Sequence, residues 1–177
     1  MTRLPLTSTQ ANRGRALEEL VLQTNEQYAA RGLAAIQRIW TPTRVIRQGK
    51  QIVSAFHAAK STVDFTGVYQ GQALAFDVKS TRLKHRWPLR NLDAHQLAYM
   101  TAWQDRGGVS FILLEFALYD ETYLVPLKVL VEHVADNAAS LSLITCRQQA
   151  VLCRQGSRGY YLDYLAALDR VLGGERR

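Results

Sequence analysis

A chain of 177 residues, 47% of them hydrophobic, is long enough to bury one core of its own. No apolar run approaches the ~18–20 residues of a membrane span, and the N-terminal MTRLPLTSTQANRGR lacks the apolar stretch of a signal peptide, so no membrane partner is expected. A net charge of +7 fits a polyanion partner, most often nucleic acid.

The charge is unevenly placed. Between Glu26 and Asp64 there is no acidic residue, but Arg31, Arg38, Arg44, Arg47, Lys50 and Lys60 are there. A second basic cluster, Arg82, Lys84, Arg86 and Arg90, lies between Asp77 and Asp93. Cys146 and Cys153 lack zinc-site partners at the usual spacing and read as reduced thiols.

In chain order, residues 1–12 read as a flexible arm. Leu17, Leu20, Val21, Thr24 and Tyr28 then trace one face of a helix running from about Arg13 to Ala30, with Gly32 as its C-cap. LAAIQRIW reads as the first strand, stopped by Thr41–Pro42. Residues 41–60 are basic, carry Gly49 and show no clear period; they read as an extension from the core or a bent strand pair.

STVDFTGVYQGQALAFDVKS reads as a hairpin turning at Gln70–Gly71. TRLKHRWPLRN is a basic loop. LDAHQLAYMTAWQDRGG is a helix with Asp93 as N-cap, and VSFILLEFAL a buried strand. ETYLVPL is a further strand, PLKVLVEHVADN a short helix with Pro126 near its start, and YYLDYLAALDRVL a C-terminal helix. The expected fold class is α/β, with a mixed sheet and helices.

A two-residue turn at Gln70–Gly71 sets Tyr69 opposite Gln72, and the same register sets Asp64 opposite Asp77. Their Cβ atoms would then lie roughly 4.5–5.5 Å apart. Lys79 shares their face, while Leu74, Phe76 and Val78 point the other way. Like charges so placed repel, and a hard divalent ion held by both carboxylates removes the repulsion. Lys79 would then contact a phosphate oxygen or orient a water. A solvated surface hairpin, with Lys79 as a salt-bridge partner, is the other reading of the same spacing.

Asp64 followed by Asp77-Val78-Lys79 resembles the D…(D/E)-x-K core of the restriction-endonuclease-like nucleases. Further segments narrow the resemblance to the RecU-type Holliday junction resolvases. NRGRALEELV is similar to that family's first-helix motif, with Gly14 and Glu18 matching G-x-x-x-E. STVDFTGVYQG is similar to its S-T-x-D-Y/F-x-G-V-Y-x-G segment. DAHQLAYM resembles its H-x-x-Q helix, and WPLRN stands where FPLxN is typical.

The resemblance implies a single restriction-endonuclease-like domain over residues 1–177, with a mixed sheet flanked by helices and a protruding basic stalk at about 41–60. It implies a homodimer that cuts four-way DNA junctions with Mg²⁺ or Mn²⁺ in recombination and repair, in the cytoplasm of a bacterial or phage-infected cell. A recombinase partner is compatible with that role. Glu18, Asp64 and Asp77, with the Val78 carbonyl, would hold the metal. Lys79 and Gln96 would orient water and phosphate. Arg13, Arg15, Arg44, Arg47, Lys50, Lys60, Arg82, Lys84 and Arg86 would meet DNA.

The departures from the family are Asp77, where a glutamate is expected, and the stalk and the C-terminal third, which match its pattern poorly. The alternatives are a related nuclease of phage or mobile-element origin acting on forks or duplexes, and a non-catalytic DNA-binding module. Trp87 reads as a packed loop anchor in preference to a base-stacking platform, and Tyr160 and Tyr161 as core or interface residues.

Overall fold

Period-2 runs in this chain pack as a mixed sheet, and period-3.6 runs cover its faces as helices. The computed structural model describes residues 10–40, 43–49, 51–57 and 62–175. The elements up to the first basic loop are α1 (Gln10–Ala30), β1 (Ala34–Arg38), β2 (Thr43–Gln48), β3 (Gln51–His57), β4 (Phe65–Tyr69) and β5 (Gln72–Thr81). Then come β6 (Arg86–Pro88), a 3-10 turn (Leu89–Asn91), α2 (Ala94–Gln104), β7 (Val109–Phe116), β8 (Glu121–Pro126) and α3 (Leu127–Ala135). β9 (Ser140–Ser142), α4 (Leu143–Gln149), β10 (Val151–Gln155), a second 3-10 turn (Ser157–Gly159), β11 (Leu162–Asp163) and α5 (Tyr164–Glu175) complete the chain.

Seven strands form one sheet in the order β1-β4-β5-β7-β8-β10-β11. β5 and β7 are parallel, joined by a crossover that contains α2, and the remaining neighbours are antiparallel. One face packs under α1 and α5, where Leu17, Val21, Tyr28 and Leu168 meet Phe65, Phe76 and Phe111. Phe76 stacks between Phe65 and Phe111, with ring centroids 5.2 and 4.7 Å away. The other face packs under α2, α3 and α4, where Met100, Leu130 and Cys146 meet Ala75, Ile112 and Leu114. Both cysteines are free and buried, and burial pushes each thiol up to about 12.

Several expectations change at the edges. α1 begins at Gln10, within the segment read as an arm. The C-terminal helix begins at Tyr164, because Leu162–Asp163 pairs with β10 as a short strand. Asp163 also accepts Arg158 at 2.6 and 2.8 Å and the Ala166 N–H at 3.4 Å, which makes it the boundary of that helix. Trp87 is buried, as a loop anchor should be, and so is Tyr160, whereas Tyr161 is exposed.

β2 and β3 form their own antiparallel ribbon, separate from the large sheet, turning at Gly49 with φ of 63°. It lies within the segment expected as a stalk. Lys50 and Lys60 fall outside the described residues. No described helix is long and apolar enough to cross a membrane.

Candidate active site

The exit of β5 carries the chemistry. Asp77 and Lys79 point to the α2 face, while Phe76 and Val78 pack on the α1 face. The β4–β5 ladder pairs residues as far as Phe65 with Phe76, through a turn with positive φ at Gln70 and Gly71. Asp64 follows at the next position, just outside the ladder. Its carbonyl accepts the Ile39 N–H at 2.8 Å, and its Oδ2 accepts the Val78 N–H, also at 2.8 Å. The carboxylate therefore replaces the missing rung and is fixed beside Asp77. In an extended strand the N–H and C=O of one residue point the same way. The Val78 carbonyl is accordingly turned toward the Asp64 side, away from β7.

Asp77 is fully buried. Gln96, in the first turn of α2, donates from Nε2 to Asp77 Oδ1 at 3.1 Å. The Gln96 Oε1 accepts Lys79 Nζ at 3.1 Å and the Asp93 N–H at 3.4 Å. Lys79 Nζ also makes an ion pair with Asp77 Oδ2, an oxygen with no hydrogen bond of proper angle. Gln96 thus bridges the acid and the base and is itself set by the helix start.

Burial holds the Asp77 carboxyl well above the usual carboxylate range, the charge of Asp64 pushes it further up, and the opposing pull of Lys79 does not reverse this. A buried acid whose second oxygen is held only by the Lys79 ammonium, a second carboxylate against it and a nearby carbonyl is an all-oxygen donor set. That set suits a hard divalent cation, whose charge would offset both the burial and the repulsion.

Glu18 comes to the site from the opposite side of the sheet, on α1. Burial raises its pKa and Asp64 adds to the rise, while Arg38, Lys79 and Arg15 act against it. Arg38, on β1, forms an ion pair with Glu18 and lies over the exposed Trp40 ring, 4.8 Å from its centroid. Glu18 is near Asp64 but engaged by Arg38. Among the described residues no three His, Cys, Asp or Glu side chains converge as ligands of one ion. The structure therefore brings together Asp64, Asp77, Lys79 and Gln96 and leaves Glu18 at the rim.

In the sequence Arg38 stands only as one of the cations between Glu26 and Asp64. Its partner is 20 residues away in the chain, a pairing that strand alternation alone does not reveal. Of the expected DNA contacts, Arg15, Arg82, Lys84 and Arg86 are exposed. Arg44 and Arg47 lie on β2 and Arg13 on α1, but their side chains fall outside the described residues.

Residues 12–170 match the family described as RecU: Recombination protein U. The Holliday junction resolvase RecU of Streptococcus gordonii is 39% identical over 174 residues, covering 93% of this chain and 86% of that protein. The protein of the same name from Streptococcus thermophilus is 33% identical over 172 residues, with the same coverage of 93% and 86%. Among solved structures, the Holliday junction resolvase Hjc of Archaeoglobus fulgidus is similar with a TM-score of 0.37 and 13% identity, over 61% of this chain and 77% of that one.

Proposed function

Because the chain belongs to the Recombination protein U family, we propose that it is a divalent-metal-dependent, restriction-endonuclease-like nuclease that resolves four-way DNA junctions. The observation that carries this reading is the pair of facing carboxylates, Asp64 and Asp77, with Lys79 and Gln96 locked beside them.

Asp64, Asp77 and the Val78 carbonyl would hold Mg²⁺ or Mn²⁺, with Glu18 completing the acidic set from α1. Such an ion, when bound, supplies charge to the phosphate oxygens and acidifies a coordinated water. Lys79, no longer needed to neutralise Asp77, places its ammonium on a non-bridging oxygen of the scissile phosphate. Gln96 keeps that ammonium from swinging away and holds Asp77 in one rotamer through its other end. Positioning of this kind is a large part of catalysis in phosphoryl transfer.

Arg15, Arg82, Lys84 and Arg86 supply contacts that fix the DNA backbone without reading its sequence. The basic ribbon, with Arg44, Arg47, Lys50 and Lys60 in or beside it, is the stalk, and it meets the centre of the junction. Two copies of the chain, one site each, cut two strands symmetrically.

Incubating the protein with a synthetic four-way junction, a fork and a linear duplex, with and without Mg²⁺, tests this reading. Paired nicks at the branch in Mg²⁺, few on the duplex and none in EDTA are expected. Equal cutting of duplex would favour a general nuclease, and no cutting in Mg²⁺ or Mn²⁺ would favour a non-catalytic DNA-binding module.

A further inference from the structure

The basic loop after β5 is a pinned frame. Thr81 Oγ accepts the Leu83 N–H at 3.2 Å and donates to the Arg86 carbonyl at 3.4 Å. β6 pairs with β9, the His85 carbonyl accepts the Leu143 N–H at 2.9 Å, and the Leu89 N–H donates to the Ala139 carbonyl at 3.1 Å. Trp87, 1% exposed, anchors the middle in the core. A framed loop loses little entropy when it binds.

The frame encloses an open cleft of about 360 Å³, with Ser80–Leu83 on one side and Pro88, Arg90 and Asn91 on the other. Among the described residues its lining carries no acidic side chain, and the nearby Glu115 carboxylate is taken by the hydroxyl of the lining Ser80. Its walls divide by chemistry: Arg82, Arg90 and Asn91 are donors, while Leu83 and Pro88 are apolar. Leu83 is 45% exposed and open to a ligand in the cleft. Among the described residues, no hydrogen bond or ion pair engages the Arg90 side chain. The volume is many times the ~30 Å³ of a liquid water, so it suits a sugar-phosphate unit better than a lone ion. The cleft begins at Ser80, directly after Lys79, at roughly 3.3 Å per strand residue.

We propose that this cleft binds one non-scissile nucleotide of the strand to be cut. Its phosphate lies on the Arg90 guanidinium, with Arg82 and Asn91 beside it, and its sugar lies against Leu83 and Pro88. A guanidinium fork matches phosphate geometry, and a phosphate contact sets register without reading sequence. The cleft therefore fixes which phosphodiester reaches Lys79. Its nearness to the scissile bond rests on the nuclease reading above; its capacity to bind a nucleotide does not.

The test uses the full chain and a fluorescent four-way junction in EDTA, with affinity measured against salt. Arg90→Ala should make the log K against log salt slope shallower by about 0.7–0.9. Arg90→Lys, which keeps the charge, should keep the slope, and Arg106→Ala, beyond the far end of α2, should not change it. Unchanged melting temperatures show that the variants are folded. Methylphosphonate is then substituted at one phosphate at a time around the branch. At one position the neutral group should weaken binding by the parent and cause no further loss in Arg90→Ala.

Additive losses at every position, or an unchanged slope for Arg90→Ala, overturn the proposal. Coupling without Mg²⁺-dependent cleavage would sink the nuclease reading and leave the cleft in place. Cleavage with additive losses would sink the cleft alone, and an absence of DNA binding would sink both.

Discussion

Asp77 is fully buried against a second carboxylate, and burial outweighs the ion pair with Lys79 in setting its proton affinity. Its pKa is therefore higher in the folded protein than in the unfolded chain. The folded state holds that proton more tightly, so this group's share of stability is fully present in acid. It is lost as pH rises through the ordinary carboxylate range and past the raised value. A divalent ion competes with the proton for the same oxygens. The gain in melting temperature on adding Mg²⁺ or Mn²⁺ should thus grow with pH, and Asp77→Asn should remove that growth. Thermal scans from acid to mildly alkaline pH, with EDTA or metal, check this; a gain independent of pH contradicts it. Asp64, Asp77 and Lys79 were legible in the sequence because hairpin register follows from a turn and a period of two. Arg38 was not, because its meeting with Glu18 depends on how α1 crosses the sheet.

The hairpin is the element that aims the site. Gly67 on β4 lies against β1 so closely that a Cβ would meet the Ala35 carbonyl oxygen at 2.3 Å and the Ile36 Cα at 2.6 Å. Both are backbone atoms of an edge strand, so a side chain at 67 must push β1 away. Gly67→Ala should cost about 1–3 kcal/mol of stability and lower cleavage as well, since Asp64 directly precedes β4. Denaturant unfolding and a cleavage assay on the same preparation check both effects.

The Gln70–Gly71 turn and the β4–β5 register were legible from alternation. The segment from β9 to β10 was not: a three-residue strand and a seven-residue helix are too short to show a period. α4 is defined instead by a cap, Ser142 Oγ accepting the Thr145 N–H at 2.9 Å. β6 was hidden because Pro88, which cannot donate, closes it.

At the scale of the whole molecule, the mixed sheet with helices on both faces was legible from long periodic segments. The separate β2–β3 ribbon was legible mainly as a basic stretch with no period. It pairs with itself and is no part of the large sheet. Replacing residues 43–57 by a short turn should leave the melting temperature of the core within a few degrees, because the ribbon is not hydrogen-bonded into the large sheet. The same deletion should reduce the preference for four-way junction over duplex in competition binding. Loss of the fold, or an unchanged preference, would count against the ribbon as a junction-reading stalk.

The most direct measurement of the central claim is single-turnover cleavage of a four-way junction in Mg²⁺ by the parent and by Asp77→Asn, with junction affinity measured in parallel. The substitution keeps size and removes the charge that would hold the ion. The expected result is a rate lower by at least about a hundredfold, equivalent to about 2.7 kcal/mol of lost charge stabilisation, with affinity for the junction preserved. Cleavage by Asp77→Asn at the parental rate would contradict a metal site built on Asp64 and Asp77.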